Sequence, residues 1–149
     1  MGGCKLRERL HALLLDELAE LGLFTEGLIA LAAEEVAAKA GIKGGTVEEV
    51  VERILGELCL GDYEVEREDP DTWRVSVKAD ACLLCPGREK PKAELCPLPG
   101  LLKASLTSAL GARFYPLRWE DMRFVRVSDG RCEMRFRRSP GRAERLSKP

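Results

Sequence analysis

The chain of 149 residues contains no asparagine, no glutamine and a single histidine, His11. Loss of thermolabile amides beside a 33% share of charged residues is typical of proteins from thermophiles. No motif supports a Ser-His-Asp triad around His11, and no phosphate-binding loop or dinucleotide fingerprint occurs. No RNA-recognition signature accompanies the few aromatic residues. We therefore assign no catalytic residue, favour a non-enzymatic protein and expect no nucleic-acid partner.

Long apolar runs are also absent. No segment has the roughly 20 apolar residues that a membrane helix needs, and the N-terminus lacks a basic-then-apolar secretion signal. Hydrophobic residues make up 45% of the chain, which is enough for one domain with its own core. The sequence thus predicts a cytoplasmic protein without a membrane span.

The charges are unevenly distributed along the chain. Residues 1–112 carry 13 basic and 20 acidic side chains, whereas residues 113–149 carry 11 basic and 5 acidic ones. The preferred interpretation of the basic third is a solvated strand face followed by a disordered tail over residues 139–149. The alternative is an interaction subunit that docks a protein partner, or a second copy, through the sheet edge or this basic third.

Three segments of the N-terminal half have helical periodicity. Leucines at a spacing of three and four predict an amphipathic helix over residues 5–21, within an N-terminal helical extension over residues 1–22. A second helix is predicted over residues 26–40. Thr46 and Glu49 form a capping box that opens a third helix. The apolar face predicted for the second helix consists of Leu28, Leu31, Ala32 and Val36.

The period then changes to two. Residues 62–79 predict a β-hairpin that turns at Asp69-Pro70-Asp71, and residues 99–110 predict a further helix. Asp129-Gly130 predicts a second hairpin, with Val127 opposite Cys132 and Val125 opposite Met134. The predicted class is therefore α+β, with N-terminal helices packed on an antiparallel sheet of two hairpins and one further helix between them.

Six cysteines are the most informative residues present. Cys82 and Cys85 form a C-x-x-C pair after the first hairpin, Cys96 precedes a helix, and Cys132 follows the second turn. Four such thiolates suit one tetrahedral zinc ion with a structural role. Disulfides, an iron–sulfur cluster on the same thiolates, and reduced cysteines that pack as small apolar side chains are the alternatives.

Several short stretches resemble the 4-vinyl reductase domain family, a group of predicted hydrocarbon-binding proteins. The similarity covers residues 23–138. The stretches are Leu23-Phe24-Thr25-Glu26-Gly27, Leu60-Gly61-Asp62-Tyr63-Glu64-Val65, Trp73-Arg74-Val75-Ser76-Val77, Cys96-Pro97-Leu98-Pro99-Gly100-Leu101-Leu102 and Asp129-Gly130-Arg131-Cys132-Glu133-Met134-Arg135-Phe136. The resemblance implies a fold like that of TRAPP-complex subunits and the haem–nitric oxide sensor domain.

The resemblance also implies a pocket for a small hydrophobic or tetrapyrrole-like ligand, a neighbouring cysteine-bound zinc, and a role as a sensor or accessory protein. Cys96 and Cys132 correspond to the family's metal ligands. The family's further cysteine near Arg126 is missing, and Cys82 and Cys85 are the candidates to replace it. The predicted pocket-lining residues, for which core packing is the alternative role, are Leu101, Leu102, Leu106, Phe124 and Met134.

Overall fold

The computed structural model describes residues 26–43, 45–58, 60–79 and 96–139. The predicted helix over residues 5–21, the Cys82 and Cys85 pair, and all but the first residue of the predicted tail lie outside these ranges. Within them, no helix has the length and the apolar composition that crossing a membrane requires.

Three helices lie where the periodicity predicts them: α1 over Glu26–Ala40, α2 over Val47–Glu57 and α3 over Leu98–Leu110. At the start of α2, the hydroxyl of Thr46 accepts a hydrogen bond from the backbone N–H of Glu49, with a distance of 3.2 Å. The Glu49 carboxylate accepts from the N–H of Gly45, one residue before the capping position, at 3.1 Å. The predicted cap is confirmed, with its return bond shifted by one residue.

In the described part of the chain, five antiparallel strands form the sheet: β1 over Tyr63–Asp69, β2 over Thr72–Lys78, β3 over Phe114–Leu117, β4 over Arg126–Ser128 and β5 over Arg131–Arg138. The order is β1-β2-β5-β3, and β4 also pairs with β5. Strand β4 pairs with the first part of β5, whereas β3 pairs with its last part. The α+β class and the two hairpins are confirmed, and the short strand β3 is an addition.

The Asp129-Gly130 turn joins β4 to β5 as predicted. Both residues have positive φ, 51° and 72°, which is the backbone that a two-residue hairpin turn of matching twist requires. Val127 lies opposite Cys132 in the ladder, as predicted, and the ladder begins at Arg126. Val125 therefore lies outside it, although its side chain is buried.

The core lies between the helices and one face of the sheet. Trp73, Val75 and Val77 of β2 alternate with polar residues and share the buried face with Met134 and Phe136 of β5. The indole N–H of Trp73 on β2 donates to the Glu48 carboxylate of α2 at 3.1 Å. Buried apolar residues of α2 also pack in this core. Those residues are Val47, Val50, Val51, Ile54 and Leu55.

The predicted apolar face of α1 is exposed. Leu28, Leu31 and Val36 retain 56%, 67% and 51% of their accessible surface, while Ala37 is buried in the core. Helix α1 packs chiefly on α3. The prediction that this face is the one that packs on the protein is therefore wrong, because the opposite side, which carries Ala37, lies against the core.

Candidate functional site

A cavity of about 260 Å³ lies where the three helices meet. Its lining is mainly apolar and comes from the end of α1, the residues that follow it, the C-terminal half of α2 with its cap, and the start of α3. The lining residues are Val36, Ala40, Gly41, Ile42, Arg53, Ile54, Glu57, Leu58 and Leu101. The chain turns away from α1 at Gly41, where φ is 57°, and this turn places Ile42 against the core. The arrangement is an apolar recess bordered by two charged residues.

Arg53 and Glu57 are these two charged residues. They are one turn apart on α2, and both are exposed. One guanidinium N–H of Arg53 donates to the backbone carbonyl of Lys43 at 3.3 Å. The recess therefore has a cation and an anion among its lining residues, beside apolar walls, as is usual for sites that bind a small organic molecule.

The five residues that the sequence predicts as pocket lining have different positions. Leu101 lines the cavity. Leu102, Leu106 and Met134 are fully buried in the common core. Phe124 is partly buried, and the guanidinium of Arg118 lies 4.1 Å from its ring centre. Sequence reasoning missed Ile42 and Ile54 as lining residues; the Gly41-Ile42 pair directly after a helix was a signal for Ile42 alone.

Two of the four predicted metal ligands lie in the described residues. Cys132 is the second residue of β5, opposite Val77 on one side and Val127 on the other. It is partly buried and packs against the core, as does Cys96 immediately before α3. Cys82 and Cys85 lie outside the described ranges. Among residues 26–43, 45–58, 60–79 and 96–139, no three histidine, cysteine or acidic side chains form a group able to hold a metal ion.

The basic C-terminal third forms ion pairs with the acidic first hairpin. Each of four arginines of β5 lies near a carboxylate of the β1–β2 region. Arg138 donates to Asp71 at 2.8 Å and Arg131 to Asp62 at 3.2 Å, while longer pairs join Arg135 to Glu68 and Arg137 to Asp69. Arg74 of β2 also pairs with Glu66 of β1. The arginines of β5 thus neutralise acidic residues of the first hairpin and of Asp62 just before it.

Two hydroxyls on the face of the sheet that points away from the core are buried beneath the arginines of β5. The guanidinium of Arg131 donates to the Ser76 hydroxyl at 3.0 Å, and that of Arg137 donates to the Thr72 hydroxyl at 3.2 Å. Ser76 and Thr72 are buried although they face away from the core. Arg131 and Arg137 therefore bind side chains of the neighbouring strand, which argues against a surface of unpaired cations that awaits a partner.

Trp119 covers another part of the same face. The guanidinium groups of Arg126 and Arg135 lie 3.9 and 4.4 Å from its ring centre, and its indole N–H donates to the carbonyl of Glu133 at 3.1 Å. Such cation–π contacts stabilise a folded surface without needing a ligand. We interpret this cluster as structural.

Asp69 has an altered acidity at the hairpin turn. The backbone N–H of Asp71 donates to its carboxylate at 2.9 Å, and this bond is the main cause that lowers the pKa of Asp69. The hydroxyl of Thr72 and the charge of Arg137 act in the same direction. The turn is thus stabilised by the ionised form of this carboxyl group.

The comparisons with known proteins give a family and a structural neighbour. No curated protein matches the chain. A solved vinyl-4-reductase family protein from Methanocaldococcus jannaschii is similar over 75% of this chain and 68% of that chain, with 16% identity and a TM-score of 0.47. The model of the MJ0207 family matches residues 22–138. The chain therefore belongs to the MJ0207 family.

Proposed function

We propose that the chain is a small-molecule-binding module whose ligand occupies the cavity between α1, α2 and α3. The observation that carries the proposal is the cavity itself, about 260 Å³ of recess with mainly apolar walls. Ala40, Arg53 and Glu57 of its lining are exposed, so the recess is open to solvent, and a ligand with an apolar part would remove its apolar walls from water. We propose a role as a sensor or accessory protein, as the resemblance to the 4-vinyl reductase domain family implies.

The size of the cavity favours one class of ligand. Pockets for drug-sized molecules hold about 300–1,000 Å³, whereas a cavity of about 150 Å³ accepts benzene. The volume here, about 260 Å³, lies between these values. A short hydrocarbon-like molecule fits this range, and a tetrapyrrole is larger. We therefore favour a hydrocarbon-like ligand with one polar end directed at Arg53 or Glu57.

Native mass spectrometry after incubation with a mixed lipid extract and with protoporphyrin IX tests this proposal. We expect an adduct from the extract, and its loss in Ala40→Trp, because Ala40 lines the cavity and the larger ring occupies it. Ser108→Trp, at an exposed position of α3 that does not line the cavity, is the matched control and should keep the adduct. No adduct, or an adduct that Ala40→Trp retains, would refute the assignment of the site.

A structural zinc ion held by Cys82, Cys85, Cys96 and Cys132 is the second part of the proposal. Bound zinc would tie the segment between β2 and α3 to the sheet and would contribute folding free energy. The described residues supply two thiol donors, Cys96 and Cys132, that both border the same core. Thiolates are ligands that zinc prefers, so the chemistry of these donors fits the ion.

Chain connectivity supports a shared site. The backbone N–H of Ala79 donates to the carbonyl of Gly130 at 2.8 Å, so β2 ends beside the turn that precedes Cys132. Cys82 is three residues beyond Ala79, and an extended chain covers at most about 3.6 Å per residue. The Cα atom of Cys82 is therefore within about 11 Å of that of Ala79 by chain length alone.

Elemental analysis of protein purified without added metal tests the zinc. We expect about one zinc per chain, as for a closed four-thiolate site, and loss of zinc in Cys96→Ser and Cys132→Ser. Cys4→Ser is the control, because no role is assigned to Cys4. A brown protein with iron and sulfide would instead favour the iron–sulfur alternative. Protein without metal and with fewer titratable thiols than cysteines would favour disulfides.

A further inference from the structure

The two charged residues of the cavity lining do not pair with each other. Arg53 and Glu57 lie one turn apart on α2, at a spacing that often gives an ion pair. Across the part of the chain that the structure describes, however, no ion pair includes either residue. The arginines of β5, in contrast, each lie near a carboxylate. Both charges at the exposed edge of the recess can therefore pair with charged groups of a ligand.

Glu57 occupies an unfavourable position for a carboxylate. It is the last residue of α2, and the final turn of this helix contains no basic residue. The C-terminal end of a helix has a partial negative charge from carbonyl groups without helical partners, so a carboxylate at this end is repelled. A positively charged group bound beside Glu57 would relieve this repulsion. The Glu57 side of the recess therefore suits an ammonium group.

Arg53 is positioned by a hydrogen bond and has donors to spare. One of its guanidinium N–H groups donates to the backbone carbonyl of Lys43 at 3.3 Å. Glu49, one turn earlier on α2, instead accepts from the N–H of Gly45. A guanidinium has five N–H donors in a planar fork, which matches a carboxylate with two parallel hydrogen bonds. The Arg53 side of the recess therefore suits a carboxylate group.

We propose that the ligand has an ammonium group for Glu57 and a carboxylate for Arg53 on one carbon atom, as in an α-amino acid with an apolar side chain. The inference rests on the proposed function, because the apolar part occupies the same recess of about 260 Å³. Side chains four residues apart on a helix have Cβ atoms about 5–6 Å apart, so both can contact groups borne by one carbon. A ligand with one charge alone would leave the other residue unpaired and would meet a like charge one turn away.

Four ten-carbon molecules with different polar ends test the inference. They are 1-decanol, decanoate, decylammonium and 2-aminodecanoate, and their affinities are measured by isothermal titration calorimetry at about pH 7, below the concentrations at which they form micelles. Exposed ion pairs are weak, so each contact should strengthen binding by only about threefold. We therefore expect 2-aminodecanoate to bind about tenfold more tightly than 1-decanol.

Two substitutions separate the contacts. Arg53→Gln should weaken binding of 2-aminodecanoate and of decanoate by about threefold, and not that of decylammonium. Glu57→Gln should weaken binding of 2-aminodecanoate and of decylammonium instead. It should also raise the midpoint of thermal unfolding of the chain without ligand, because it removes a carboxylate from the negative end of α2. Glu52→Gln, at an exposed position of α2 that does not line the cavity, is the control and should leave all four affinities unchanged.

Three results would overturn the inference. The first is 1-decanol that binds as tightly as 2-aminodecanoate, which would leave the recess as a site for neutral hydrocarbon-like ligands. The second is an equal loss of affinity for all four molecules in Arg53→Gln and in Glu57→Gln, which would show that these residues only maintain the shape of the recess. The third is the failure of all four molecules to bind, which would overturn the proposed function as well.

Discussion

Adjacent leucines at the start of α3 give the most direct test of the cavity. Leu102 is fully buried in the core, whereas Leu101 lines the cavity and keeps 6% of its accessible surface. Truncation of a leucine in a close-packed core costs about 2.7–5 kcal/mol, and the cost rises by about 24 cal/mol per Å³ of void created. Leu101 already faces empty space, so it has fewer neighbouring atoms to lose.

We therefore expect unequal losses of stability. Leu102→Ala should lower the free energy of unfolding by about 3–5 kcal/mol and the midpoint of thermal unfolding by about 10–20 °C for a domain of this size. Leu101→Ala should cost about 1–2.5 kcal/mol, below the close-packed range. The assay is urea unfolding followed by far-ultraviolet circular dichroism, with the two m-values compared so that a changed denatured state is recognised.

A reversed order would refute this reasoning. If Leu101→Ala costs as much as Leu102→Ala or more, the recess beside Leu101 is filled by protein atoms and is no cavity. Leu101→Met is the matched control, because it keeps the volume nearly unchanged and should cost less than about 1.5 kcal/mol.

Three further predictions concern the helix cap and the two hairpin turns. Thr46→Ala removes the hydroxyl that caps α2 and should cost about 1 kcal/mol in chemical unfolding, while Thr46→Ser should cost little; equal stability of the two variants would contradict the capping role. Gly130→Ala should cost about 1–2 kcal/mol from backbone strain alone, because φ is 72° and no atom lies near the added methyl group; a smaller cost in Gly130→Asn is expected, since asparagine tolerates this backbone better. The lowered pKa of Asp69 means that its contribution is present above its unfolded pKa, near 3.8, and is lost as the pH falls through the folded value. Asp69→Asn should therefore flatten the fall of stability below about pH 4, and an unchanged acid profile would contradict the assignment.

Much of the fold could be predicted because local signals agreed with tertiary packing. The capping box at Thr46 and the turn at Asp129-Gly130 each correspond to a backbone geometry that few residues adopt. Strand β3 was missed because four residues that include Pro116 do not establish a period of two.

The site was less predictable for physical reasons. An apolar residue that lines a cavity and one that fills a core have the same hydrophobicity, so Leu101 and Leu102 cannot be separated by composition. Their roles depend on where α1 ends and turns at Gly41, which brings Ile42 beside them. The orientation of α1 was predicted wrongly for a similar reason, because leucine and alanine occur on more than one of its faces.

The pairing of the basic third with the acidic hairpin also escaped prediction. The uneven distribution of charge is visible in the sequence, but the register that brings Arg131 near Asp62 and Arg138 near Asp71 depends on long-range strand pairing. Exposed ion pairs of this kind each contribute about 0–1 kcal/mol. Their main consequence is a neutralised outer face, which weakens the alternative of docking through a cationic surface.

Methyl-detected NMR during titration with 1-decanol tests the central claim most directly. The account predicts saturable shifts of the methyl groups of Ile42, Ile54 and Leu101, with little change for Val75 on the sheet, and their loss in Ala40→Trp. The absence of saturable shifts at these three residues, or shifts that persist unchanged in Ala40→Trp, would contradict ligand binding in the cavity between the helices.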